Sequence, residues 1–115
     1  MAVTIYHNPR CGKSRAVLKL LEARGLKPTV VEYLKTPPDA AELKRLLRLL
    51  GLGARALLRT KEKEYKALRL DDPKLAEDKI IAAMAKHPIL IERPIVIAGN
   101  KAALGRPPEA VLRIL

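Results

Sequence analysis

The stretch from Val3 to Tyr33 constrains the fold more than any other part of the chain. Val3 to Tyr6 is a short β-rich run broken by His7-Asn8-Pro9-Arg10. After that break Val17, Leu18, Leu20 and Leu21 recur at helical spacing until Gly25 interrupts them. Thr29 to Tyr33 is a second β-rich run. Two strands separated by a helix of this length suit a parallel crossover, because a hairpin needs only a few residues of turn. The chain therefore opens as a βαβ unit.

Thr36-Pro37-Pro38-Asp39 offers Thr36 as an N-cap with proline in the first turn, and Leu43, Leu46, Leu47 and Leu50 follow at i, i+3, i+4 and i+7 before Gly51. Residues 54 to 70 read as short helical pieces with Thr60 as a cap between them. Asp71-Asp72-Pro73 breaks the chain before another helix that runs through about Lys86. His87-Pro88 closes this helical insertion. Ile95 to Ala98 and Lys101 to Leu104 are strand candidates joined by Gly99-Asn100, a two-residue hairpin signal. Pro107, Pro108 and Glu109 then open a last helix carrying Val111, Leu112, Ile114 and Leu115. The order β-α-β, helices, β-β-α predicts an α/β domain: a four-stranded mixed sheet with helices packed on it, the thioredoxin-like plan.

With 115 residues, the expectation is one domain spanning 1–115, since a domain typically holds about 100 to 200. A hydrophobic fraction of 49% can build a core without metal or disulfide. The single cysteine excludes an intrachain disulfide and suits a reducing cytoplasm. Apolar runs such as Pro88 to Ile91 fall far short of the roughly 18 residues of a membrane span, and the first residues lack a signal-peptide pattern. A cytoplasmic protein with no membrane partner is expected. The formal charge of +11 predicts anionic partners. The excess is concentrated early: the first sixty residues hold 12 basic and four acidic side chains.

In thioredoxin-like folds, function usually sits on the first strand-to-helix loop, and here that loop holds Cys11. Unpaired N–H groups and the dipole at a helix N-terminus favour a thiolate, and Arg10, Lys13 and Arg15 add positive charge. Cysteines in such surroundings titrate at about 3.5 to 7.5 and act as nucleophiles. Three neighbouring motifs fail. A Walker A loop needs glycine where His7 stands. A Cys-x5-Arg phosphate loop needs arginine where Val17 stands. A Cys-x-x-Cys dithiol needs sulfur where Ser14 stands. Redox chemistry at Cys11 therefore requires a thiol from outside the chain. Ser14 itself can donate to the thiolate or cap the helix.

His7-Asn8-Pro9-x-Cys11-x-x-Ser14-Arg15, Arg55-Ala56-Leu57-Leu58-Arg59, His87-Pro88-Ile89-Leu90-Ile91-x-Arg93-Pro94-Ile95-Val96 and Arg106-Pro107 together resemble the glutaredoxin-coupled arsenate reductase family, in order over nearly the whole chain. The Asn8-Pro9-Arg10-Cys11 loop and the segment from Gly99 to Glu109 look most like its less characterised sister branch. The resemblance implies a thioredoxin-like fold and reduction of arsenate to arsenite. Cys11 matches the nucleophile, Arg59, Arg93 and Arg106 match the oxyanion-binding arginines, and His7 matches a histidine that can influence the thiolate. It implies glutathione as co-substrate, glutaredoxin as protein partner, and no bound cofactor or metal. Pro94 stands where thioredoxin-like folds place a cis proline facing the cysteine, an isomer that sequence alone does not reveal.

Two other classes compete. A monothiol redox protein acting on glutathione mixed disulfides would need Cys11 but not all three arginines. A non-enzymatic regulator that binds RNA polymerase or a polyanion would use the positive charge. The related polymerase-binding branch usually carries a Cys-x-x-Cys pair, which Ser14 denies here. Nucleic-acid readers usually stack bases on aromatic side chains, and this chain has only Tyr6, Tyr33 and Tyr65. One cysteine and two histidines are too few for an ordinary zinc site.

Overall fold

In the computed structural model, which describes residues 2–115, the chain falls into two compact units. The first runs through Thr36 and resumes at Arg93–Leu115; the second is Pro37–Glu92.

The first unit holds a four-stranded sheet of β1 (Val3–Tyr6), β2 (Thr29–Val31), β3 (Ile95–Ala98) and β4 (Lys101–Leu104), in the order β2-β1-β3-β4. β1 and β2 are parallel, as the α1 crossover (Gly12–Ala23) demands, and β3 lies antiparallel to both β1 and β4. Alternation sends Val3 and Ile5 of β1 and Val96 and Ala98 of β3 to one face. There they pack with Val17 and Leu21 of α1, one turn apart, and with Val111.

β2 ends earlier than Tyr33. The Val31 carbonyl accepts from His7 N–H at 2.8 Å, and the Glu32 carbonyl then accepts from the N–H groups of Lys35 and Thr36, so the backbone turns away. The final segment differs from expectation as well. Pro108–Ile114 forms a 3₁₀ helix, whose three-residue period brings Val111 and Ile114 onto one side, Val111 within the core and Ile114 packed against it half-buried.

The second unit is helical: α2 (Ala40–Leu50), α3 (Ala54–Leu57), α4 (Lys63–Ala67), α5 (Glu77–Lys86) and a 3₁₀ turn over Pro88–Leu90. Its N-caps fall elsewhere than the sequence suggested. Thr36 does not cap α2. The residue before a proline is biased away from helical geometry, and two prolines follow Thr36, so the cap moves to Asp39, whose carboxylate accepts from Glu42 N–H at 2.8 Å. Thr60 is likewise not a cap, since α4 begins after Glu62. Gly51 ends α2 in the left-handed conformation at φ 69°, which glycine adopts without steric cost. α5 packs against α2 and α3.

Gly105, just past β4, lies where no side chain fits. A Cβ there would stand 2.6 Å from Val17 Cγ2 and 2.7 Å from Pro94 Cγ, while its N–H donates to the Pro94 carbonyl at 2.9 Å. Gly105→Ala should therefore force α1 and the Arg93-Pro94 segment apart and destabilise the fold by about 1–3 kcal/mol. A urea unfolding curve checks this; an unchanged midpoint would show that the neighbours give way freely.

Candidate active site

Cys11 is the N-cap of α1, in extended geometry, and is half-buried. The loop before it is tied down largely by one residue. Asn8 accepts Arg10 N–H at its Oδ1 (3.0 Å) and Cys11 N–H at its carbonyl (3.0 Å), and donates its own N–H to Ser14 Oγ at 3.0 Å. Arg15 Nη1 donates to the Pro9 carbonyl at 2.9 Å, pinning the loop from the helix side.

Ser14 is fully buried, and its hydroxyl is shared between Asn8 N–H and His7 Nδ1, the latter at 2.6 Å. It braces the loop from within the first turn of α1. What Ser14 offers the Cys11 sulfur is its backbone N–H. Burial pushes the thiol pKa up, but the Ser14 N–H, the hydrogen bond and positive charge of Arg93, and the Lys13 N–H outweigh it, so Cys11 lies below the ordinary thiol range.

His7 is buried beside this loop. Burial lowers its pKa, the Glu32 carboxylate opposes that, and the charge of Arg15 reinforces it, leaving the imidazole below its ordinary value. The folded chain thus keeps His7 neutral to lower pH than the unfolded chain does.

Arg93, the first residue of the resuming sheet unit, carries its guanidinium to the Cys11 sulfur. The Arg93–Pro94 peptide bond is cis, as the fold plan suggested, and so is Arg106–Pro107, which the sequence did not signal. Arg106 is exposed and follows Gly105, whose hydrogen bond to Pro94 sets the two arginine-bearing segments side by side. His7, Cys11, Ser14, Arg93, Pro94 and Arg106 all belong to the sheet unit.

Arg59 belongs to the helical unit. Its Nε donates to Glu62 at 3.1 Å and its Nη1 to Glu92 at 2.9 Å. Neither glutamate stands out in the sequence. Glu62 lies within a charged run, and Glu92 is separated from Arg59 by 33 residues. Asn8 was within reach, because Asn-Pro is a turn signal whose side chain bonds its own following backbone. Among the described residues no three His, Cys, Asp or Glu side chains gather in a way that could hold a metal ion. No helix among them is long and apolar enough to cross a membrane.

The ArsC family model matches residues 6–114. The chain belongs to the ArsC family. It is 56% identical to the uncharacterised YfgD of Escherichia coli K12 over 98% of this chain and 96% of that one. It is 54% identical to an arsenate reductase of Neisseria meningitidis serogroup B over 98% and 97%. The solved structure of an arsenate reductase from Vibrio cholerae, 56% identical, superposes with a TM-score of 0.98 over 100% of this chain and 98% of that one. The Vibrio structure superposes on this α/β architecture with its four-stranded mixed sheet, so the thioredoxin-like plan read from the element order holds for this ArsC-family chain.

Two titrations follow from the geometry. The rate of Cys11 alkylation by iodoacetamide should rise with pH to a midpoint below the ordinary thiol value of about 8.5, and Arg93→Gln should move that midpoint upward. An unmoved midpoint would remove Arg93 from the thiolate's support. For His7, the unfolded chain takes up a proton near pH 6.5 and the folded chain only below it. Stability from this residue is complete above about 6.5 and declines as pH falls from there toward the folded value. Urea midpoints for His7→Gln should therefore drop less than those of the unaltered chain when pH is lowered from about 7.5 to about 5.5. Equal drops would argue against a depressed His7.

Proposed function

We propose that this chain is an arsenate reductase in which Cys11 is the nucleophile, Arg59, Arg93 and Arg106 hold the oxyanion, and glutathione with glutaredoxin supplies the electrons. The observation that carries the reading is the Cys11 sulfur at the start of α1 with the Arg93 guanidinium beside it. The activity named for its Neisseria and Vibrio relatives supports the same reading. The reductants are the family's, carried by the resemblance.

The chemistry fits these groups. The Cys11 thiolate attacks arsenic(V), and one arsenate oxygen leaves as water with two protons. Arginines are always charged and present paired N–H donors, so they neutralise both the bound oxyanion and the charge that builds on its oxygens during attack. Glutathione thiol then replaces a second oxygen, again releasing water. A glutaredoxin thiolate attacks the glutathione sulfur, forming a mixed disulfide and leaving the S–As electron pair on arsenic. Arsenic(V) has become arsenic(III), still bound to Cys11. Hydrolysis of that bond releases arsenite and returns the thiol. Two external sulfurs are oxidised for each arsenic reduced, which suits a chain with one cysteine.

Arsenite formation from arsenate with glutathione, glutaredoxin and a regenerating reductase tests this. The unaltered chain should produce arsenite and Cys11→Ser none. Arg93→Ala and Arg106→Ala should each lose roughly 10²–10³-fold, the scale seen when one oxyanion donor is removed. If the unaltered chain makes no arsenite but still cleaves glutathione mixed disulfides through Cys11, the monothiol redox reading replaces this one.

A further inference from the structure

Arg59 comes with two carboxylates attached. The backbone builds the cluster: Arg59 N–H donates to the Leu90 carbonyl at 2.7 Å, Glu92 N–H donates to the Leu57 carbonyl at 2.8 Å, and Leu58 bridges Ile91 in antiparallel fashion. These pairings run the segments around Arg59 and Glu92 alongside each other. Glu62 arrives from the turn that precedes α4. All three side chains are largely withdrawn from solvent, exposed by 16%, 25% and 21% for Arg59, Glu62 and Glu92. Their interactions are therefore screened far less than those of a surface pair. The cluster as a whole carries one excess negative charge.

A plain anion approaching Arg59 meets two disadvantages. Nε and Nη1 are already engaged by Glu62 and Glu92, and at the remaining N–H donors the anion faces the poorly screened charge of two neighbouring carboxylates. An oxyanion bearing a hydroxyl group escapes the second, because it can donate that O–H to the glutamate while its remaining oxygens take the guanidinium. At neutral pH hydrogen arsenate and hydrogen phosphate carry such a hydroxyl. Sulfate carries none.

Taking Arg59 as an oxyanion-holding residue, as in the proposed function, the geometry points to Glu62 and Glu92 as specificity-determining residues that admit hydroxyl-bearing tetrahedral oxyanions and reject sulfate. Selection comes from a repulsive element built beside the attractive one. A group that accepts a substrate O–H discriminates strongly against an analogue without it, since the buried acceptor is then left opposed to negative charge. Glutamine in place of either glutamate keeps a carbonyl oxygen for Arg59 and supplies an N–H₂ that sulfate can use, while removing the charge.

The experiment measures how arsenate, phosphate and sulfate slow the alkylation of Cys11, in the unaltered chain and in Glu62→Gln, Glu92→Gln, Arg59→Ala and the combination of Arg59→Ala with Glu92→Gln. In the unaltered chain arsenate and phosphate should protect at similar concentrations, with sulfate needing at least tenfold more. Each glutamine variant should narrow that gap about tenfold, and Glu92→Gln should have no such effect once Arg59 is alanine. Because the two glutamates are replaced separately, one folded variant suffices. If arsenate protects the unaltered chain but the gap to sulfate is absent or unchanged by glutamine, the selectivity proposal is overturned and the arsenate reading stands. If the gap narrows equally with Arg59 removed, the glutamates act as a general field and the proposal also falls. If arsenate protects none of the variants, the arsenate reading fails and takes the selectivity with it.

Discussion

A half-buried sulfur can stay ionised only where fixed donors replace the water it has lost, and the sheet unit is organised around that requirement. Burial alone would raise the Cys11 pKa. Two backbone N–H groups at the start of α1 and the Arg93 guanidinium reverse the balance, and each depends on a different part of the fold. The N–H groups are available because Cys11 occupies the cap position, where the first helical amides have no carbonyl partner. Arg93 is available because β3 runs antiparallel beside β1, which brings the residues before Ile95 to the end of β1 that leads into the Cys11 loop. The pairing of Tyr6 with Ile95 sets that register.

The loop is stiffened by neutral hydrogen bonds. Asn8 uses its side chain, N–H and carbonyl to close the turn, and the Ser14 hydroxyl spans from helix to loop to reach His7. Keeping His7 neutral avoids a further buried charge, which the low local dielectric would make costly. The positive charge near the sulfur is thus carried by arginine, which stays protonated at any working pH.

Most of the architecture was legible from local patterns. Alternation in Val3 to Tyr6, helical spacing from Val17 to Leu21, the crossover length and the Gly99-Asn100 turn each report on backbone geometry within a few residues. They located the strands and the loop that carries Cys11. Misreadings arose where a distant or neighbouring partner decided the outcome. Two prolines moved the α2 cap from Thr36 to Asp39. The core contact of Val111 and Ile114 accompanies a 3₁₀ helix in place of an α-helix. In the site, the position of Cys11 could be read from its loop, but Arg93 beside Cys11 and Glu92 beside Arg59 join residues far apart in the chain, whereas Glu62 lies only three residues from Arg59. No period or spacing encodes the two distant pairs, and the resemblance pointed to Arg59 without its carboxylates.

A solitary cysteine also determines how this molecule suffers oxidants. An ionised, partly accessible cysteine is the form that peroxides attack, giving a sulfenic acid. Proteins with a neighbouring cysteine trap that species as an internal disulfide and are restored by ordinary reductants. Here Ser14 occupies the nearest position, and its hydroxyl cannot form that bond. Without an internal thiol, disulfide rescue of sulfenylated Cys11 needs a thiol from another molecule, in competition with further oxidation to the sulfinic and sulfonic acids, which ordinary thiols do not reverse. The survival of the protein under oxidative load is then a race set by the concentration of thiol around it.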